Sequence, residues 1–382
     1  MISYFSTTWH LISALLVFFF GFILAIFIRR YFDAAIKRTI ILYFWHTLFA
    51  IVYAVYVFNA GGDALGYYIR SLHNEVVFSF GTRGVDFFTS FLTQDLGLSF
   101  IGCAMVYNIF GFIGILAFDS ALRKVTFNKT AKIQLLATVI VFLPSVSFWS
   151  SGIGKDAISF MSVGLALWAA LNLTKRITLM VVAILLMLLV RPHMAGLMVM
   201  SLAISFVFQK SIPLIYRLGL GLISLGVVAV LVPFALNYAG VGEDAGVDQF
   251  NDYIEKRQGY NMEGGGGVDI ASMSLPMQLF TYMFRPLPYE AHSIAALMAS
   301  LDNMILLYLF IVGLYSLIKK RLSANLELHN RAFMWYYFVG AWFILSMTTA
   351  NLGIAMRQKW MIAPMLIFLL ISVIGNERSS DS

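Results

Sequence analysis

Residues 177–208 read ITLMVVAILLMLLVRPHMAGLMVMSLAISFVF, an apolar run interrupted once, at Arg191-Pro192-His193. As one helix it would run about 48 Å at roughly 1.5 Å per residue, against a bilayer hydrocarbon core of about 30 Å. It would also put Lys319, Lys320 and Arg321 on the opposite side from the other basic loops. Two short halves of about 21–23 Å each, turning at Arg191-Pro192-His193, satisfy both constraints, and interrupted membrane helices often end at binding sites. Read as a hairpin, the stretch predicts a chain that crosses a membrane about eleven times.

The rest of the sequence supports that class. Sixty per cent of the residues are apolar and 12% are charged, a balance that excludes a soluble domain. The net charge of +7 is spread over short clusters between apolar segments, which is a topology signal, and no nucleic-acid partner is expected. Cys103 is the single cysteine and lies in an apolar run, so disulfides and a cysteine-ligated metal are excluded. The first apolar stretch has no basic flank before it and carries Arg29 and Arg30 after it, which predicts a retained anchor and no cleavable signal peptide.

The expected spans are 11–28, 39–58, 99–118, 133–149, 157–171, 177–190, 194–208, 218–237, 296–318, 332–349 and 360–375. Of the 26 lysines and arginines, seventeen fall in one set of alternate loops, which puts the N-terminus outside and the C-terminus in the cytoplasm. The fold class is therefore all-α, a polytopic transmembrane helical bundle forming one domain over 1–382. Two long extracytoplasmic loops, 59–98 and 238–295, carry short helices; both are acidic and rich in aromatic residues, and loops of that length are usually functional or disordered. Gly264 to Gly267 read as a flexible hinge in the second loop. No internal repeat relates the halves, which argues against a secondary transporter.

Nine basic residues are left on the outer side, five of them in tight turns or directly beside a span. Lys155 closes Ser150-Ser151-Gly152-Ile153-Gly154-Lys155-Asp156, a glycine-rich turn that opens a helix. One reading is an anion site made of backbone amides, a helix N-terminus and a lysine. The other is a tight hairpin capped by Asp156, with Lys155 as exposed counter-charge. Arg191, the Arg285-Pro286-Leu287-Pro288-Tyr289-Glu290 turn, and Arg357 after Asn351-Leu352-Gly353 add three more cations. Each alone reads as an interfacial arginine reaching for headgroups; as a group on one face they point to a phosphate or pyrophosphate.

Carboxylates complete the candidate site. Asp63 follows the second span closely and reads either as a general base for a sugar hydroxyl or as a loop aspartate supporting the Gly61-Gly62 turn. Asp302 lies inside the outer leaflet, which marks it for function or for pairing with Arg285 or Arg357. Glu290 and His193 are further acid–base candidates. The remaining histidines have no metal-ligand spacing, so no metal site is expected, and no cofactor is either. The aromatic residues of the outer loops, Tyr67 and Tyr68 among them, form an interfacial belt and offer flat faces for sugars.

Asp63 with Tyr67-Tyr68, Phe148-Trp149-Ser150-Ser151-Gly152 leading to Lys155-Asp156, Arg285-Pro286 to Glu290, and Asn351-Leu352-Gly353 leading to Arg357 together resemble bacterial polysaccharide polymerases of the Wzy and EpsG type, which are similar to GT-C glycosyltransferases. The resemblance implies an enzyme of the cytoplasmic (inner) membrane that makes O-antigen or exopolysaccharide. Such an enzyme moves a glycan from an undecaprenyl-diphosphate-linked donor onto a lipid-linked acceptor repeat unit at the outer face. It further implies Asp63 as base, pyrophosphate held by Lys155, Arg191, Arg285 and Arg357, and lipid-linked oligosaccharide, membrane lipids and a chain-length regulator as partners. The paired arginine-rich loop motifs of some Wzy proteins are missing. An O-antigen ligase and a non-catalytic flippase for the same lipid-linked glycan are the alternatives.

Overall fold

The computed structural model of the protein describes residues 6–73, 76–207, 267–270, 272–319 and 330–375, with isolated positions between 215 and 229. Apart from those positions, the expected span 218–237 lies outside the described residues. So do 238–266 of the second long loop, including Gly264 to Gly266, and the basic residues Lys320 and Arg321. Among the described residues the regular structure is helical, and one isolated bridge pairs Gly267 with Asn351. Among the described residues six helical spans are long and apolar enough to cross a membrane, or seven if one bent pair counts as a single span, so the chain is a multi-pass membrane protein.

The chain divides into two compact units. The first holds the described residues through Ala169 together with 177–191; the second holds 170–176 and the described residues from Pro192 on.

In the first unit the helices are α1 (Thr8–Ile28), α2 (Ile36–Ala60), α3 (Asp63–His73), α4 (Thr82–Ser90), α5 (Phe100–Thr126), α6 (Ala131–Val141), α7 (Pro144–Ser150), α8 (Lys155–Ala170) and α9 (Leu173–Val190). Ser99 caps α5 by accepting the Gly102 amide at 3.1 Å. That helix is the axis of the unit: 78% of its most apolar window is buried, against 22% for α1, and it packs on α1, α2, α6 and α7. It runs past the expected end at 118 because Asp119, fully buried, is neutralised by Arg38 at 2.6 Å and Arg123 at 2.9 Å. The expected span 133–149 lies within the single apolar span Ala131–Ser150, which breaks at the extended Leu143, where Pro144 starts its second helical segment. Between α2, α5 and α7, buried His46 bonds Asn108 at 2.6 Å and Ser150 at 3.0 Å, and Asn108 donates to Thr47 at 2.9 Å.

In the second unit come α10 (Pro192–Val207), α11 (Leu275–Phe284), α12 (Ile294–Lys319), α13 (Arg331–Thr348), α14 (Leu352–Gln358) and α15 (Ala363–Val373). Here α15 is the buried axis, packed by α12 and α13. The expected span 360–375 starts earlier and is bent: Leu352–Met361 and Ala363–Val373 meet at 62°, with Pro364 at the start of the second arm. The apolar run of 177–208 is likewise broken, α9 stopping at Val190 and α10 starting at Pro192.

Close packing in the first unit uses small residues. A Cβ on Gly164 would come within 2.4 Å of the Gly114 carbonyl oxygen, so α8 and α5 touch backbone to backbone. Gly164→Ala is therefore expected to destabilise the protein by about 1–3 kcal/mol, the usual cost of overpacking. A lowered unfolding temperature of the detergent-solubilised chain checks it.

Candidate functional site

The first cluster grows from the end of α2. Gly61 and Gly62 take φ values of 77° and 139°, which turns the chain directly into α3, so Asp63 opens that helix as an exposed first-turn carboxylate and is no longer a loop residue. One turn on, Tyr67 is buried, with the Arg70 guanidinium over its ring at 5.0 Å. Arg70 is held by Asp86 of α4 at 2.9 Å. The start of α4 is pinned in turn to the end of α9, the Gly81 amide donating to the Leu189 carbonyl at 2.8 Å.

That pinning sets Thr82 against Tyr67, and Lys155 Nζ donates to Thr82 Oγ1 at 3.1 Å. Asp156 accepts from Arg191 Nη2 at 2.6 Å, and Arg191 Nε donates to the buried Ser159 at 3.2 Å. Lys155 is thus partly buried and engaged, and Asp156 is the ion-pair partner of Arg191 within the first turn of α8. The exposed-lysine, Asp156-cap arrangement is overturned, because buried or half-buried charges need partners. The glycines of the turn serve packing: a Cβ on Gly152 would lie 2.0 Å from the Tyr53 ring, and Gly154, at φ 148°, borders Tyr67.

The electrostatics separate the roles of these groups. Burial, and after it the charges of Asp63 and Asp156, push the Tyr67 phenol far up against the opposing effects of Arg191 and Thr82. Tyr67 therefore stays a hydrogen-bond donor at neutral pH. Burial likewise pushes Tyr68 up to about 12, and its ring packs on Phe100 in the core, 5.4 Å away. Asp63 is the exposed carboxylate of this cluster.

The second cluster lies in the second unit. Arg285 Nε and Nη2 grip Glu290 at 2.9 Å and 2.6 Å, and Glu290 also accepts the Leu287 amide at 2.8 Å. Partial burial raises the Glu290 pKa, but the bonds from Arg285 and Leu287 outweigh it and hold the carboxyl below the usual glutamate range. Glu290 is an ionised clamp and not a proton donor. Asp302, 1% exposed, has Lys359 as its opposite charge; Arg285 is taken by Glu290, so that expected pairing does not form. Lys359 Nζ donates to Asn303 Oδ1, and Asn303 Nδ2 donates to the Pro286 carbonyl at 2.9 Å. Arg357, half-buried, stands on the last turn of α14, two residues before Lys359, and half-buried His193 is on the first turn of α10.

Of the residues picked from the sequence, Asp63, Tyr67, Lys155, Asp156 and Arg191 gather in the first unit. In the second, Arg285 and Glu290 pair. Thr82, Ser159, Asn303 and Lys359 escaped selection. The signal for Asn303 was an amide beside Asp302 in an apolar run, and for Lys359 a lysine directly before Trp360 and an apolar segment. Among the described residues no group of three or more histidine, cysteine, aspartate or glutamate side chains could hold a metal ion. Comparisons of the chain with protein-family models, with curated proteins and with solved structures found no match.

Two variants probe the ion pairs. Arg191→Met leaves Asp156 without its counter-charge and is expected to cost about 3 kcal/mol, read as a lowered unfolding temperature; Asp156→Asn in the same chain restores part of it. The contribution of Glu290, whose folded pKa is depressed, is present at neutral pH and lost as pH falls through that folded value. Glu290→Gln should flatten the acid limb of a stability-versus-pH curve, and an unchanged acid limb would refute the clamp.

Proposed function

We propose that the protein is a glycosyltransferase of the polysaccharide-polymerase type. It moves a glycan from an undecaprenyl-diphosphate-linked donor onto a lipid-linked acceptor repeat unit at the outer face of a bacterial cytoplasmic membrane. On this reading the chain crosses the membrane about eleven times, with the N-terminus outside and the C-terminus in the cytoplasm. The observation that carries it is the gathering of exposed Asp63 with Tyr67, Thr82, Lys155, Asp156 and Arg191 directly beyond the apolar α2. The resemblance of the surrounding motifs to Wzy and EpsG polymerases adds the substrate class.

The chemistry needs few groups. The Asp63 carboxylate takes the proton of an acceptor hydroxyl as that oxygen bonds to the anomeric carbon of the donor. The bond from that carbon to the diphosphate breaks, and the diphosphate leaves with the electron pair. A leaving group of that charge calls for cations more than for a proton donor, a role that suits Lys155 in this cluster. Arg191, turned toward Asp156 and Ser159, orients the start of α8. The resemblance assigns Arg285 and Arg357, in the second unit, to pyrophosphate; Glu290 engages the Nε and Nη2 edge of Arg285.

A transport reading draws support from the fully buried His46–Asn108–Thr47 network inside apolar helices, since polar groups at that depth frequently serve translocation. Lipid-linked units retained on the cytoplasmic leaflet of a deletion strain would favour it. An O-antigen ligase differs from the polymerase only in acceptor; its deletion leaves polymer on the carrier and lipid A uncapped, whereas loss of a polymerase leaves single repeats on lipid A.

The direct test is Asp63→Asn in a strain whose own copy is deleted. Removing a general base should slow polymer formation by about 10²–10⁴-fold and collapse the gel ladder of surface glycan to short products. Full-length polymer from a normally expressed variant would refute the assignment of Asp63.

A further inference from the structure

The turn Arg285-Pro286-Leu287-Pro288 has an unusual deficit. Its two prolines carry no amide hydrogen, so the backbone has few donors with which to fix itself. Side chains hold it instead. Glu290 takes Arg285 and the Leu287 amide on one side. On the other, Asn303 of α12 donates Nδ2 to the Pro286 carbonyl at 2.9 Å while its Oδ1 accepts from Lys359 Nζ.

The chemistry of the three groups leaves one arrangement. An ammonium only donates and a carbonyl only accepts, so a side chain bridging them must present an acceptor to the first and a donor to the second. Among neutral side chains of this length an amide does so, and Lys359 dictates which way the amide faces. Lys359 and Asp302 are each 1% exposed and Asn303 is fully buried. Two charges at that depth are costly, and buried ion pairs often contribute no more to stability than apolar side chains of the same size. From this buried network Asn303 Nδ2 reaches out to the turn that carries Arg285. The network's other end is Lys359, two residues from Arg357.

We propose that Asn303 and Lys359, with Asp302 as counter-charge, are positioning residues for Arg285. They fix the Arg285 turn relative to the Arg357 segment so that the two guanidinium groups meet a diphosphate at a set separation. The diphosphate part rests on the function proposed above; the positioning part does not.

The test uses the purified full-length protein in detergent, with two readouts. The first is the rate at which phenylglyoxal modifies Arg285, followed by mass spectrometry. The second is the Kd for inorganic pyrophosphate. Asn303→Asp, which has no donor for the Pro286 carbonyl, and the double variant Asp302→Asn/Lys359→Met, which removes both buried charges, are the perturbations; Asn303→Gln keeps the amide. Both perturbations should speed Arg285 modification and weaken pyrophosphate binding on the order of tenfold or more, given the sensitivity of such contacts to about 1 Å of misplacement. Asn303→Gln should restore most of each, with unfolding temperature retained.

Unchanged Arg285 reactivity in folded Asn303→Asp overturns the positioning role, and so does failure of every variant to fold, which would assign the network to stability alone. If the wild type binds no pyrophosphate, or Arg285→Ala and Arg357→Ala leave its Kd unchanged, the diphosphate reading falls while the reactivity result still decides the positioning.

Discussion

A charge taken out of water must take its counter-charge with it, and in this protein that requirement fixes where the helices meet. Asp119 binds Arg38 and Arg123, so the C-terminal end of α5 can continue through a carboxylate that would otherwise end it. Asp156 and Arg191 join the start of α8 to the end of α9. Lys359 answers Asp302 and Asn303 across α12 and the bend before α15. Apolar side chains supply the bulk of the packing, but they slide; an ion pair has one register.

The same requirement explains the form of the candidate site. Lys155 and Arg191 are cations gathered at the rim of the apolar core, yet each is already engaged by the protein, through Thr82 and Asp156. On the function proposed above, side chains held in this way lose little freedom on meeting an anion. Asp63 differs, being exposed at a helix start, one turn from the neutral phenol of Tyr67.

Much of this was legible in the sequence, and the reasons are physical. Apolar runs near twenty residues announce helices, and the charge beside each marks its end, so α1, α2, α5 and α12 and the break at Arg191 follow from length alone. Charges that interrupt apolar runs stand out, which is how Asp63, Lys155, Asp156, Arg191 and Asp302 drew notice. Partners do not announce themselves. Asn303 and Lys359 are 56 positions apart, and Thr82 meets Lys155 across 73. Pairings at that separation depend on how helices cross, and a periodic pattern carries no information about crossings. The bend at Ile362 was hidden for a related reason: Pro364 sits comfortably in a first turn, so its presence alone does not distinguish a fresh helix from a kinked one.

The crossing of α5 and α8 at Gly114 and Gly164 has a thermal consequence. Most contacts in a protein interior freeze side-chain rotamers, and that loss of freedom weighs more as temperature rises. A contact of backbone on backbone has no rotamers to freeze. Its contribution to the first unit should therefore fade less on warming than that of the aromatic clusters around it, making this crossing a late point to come apart when the protein is heated.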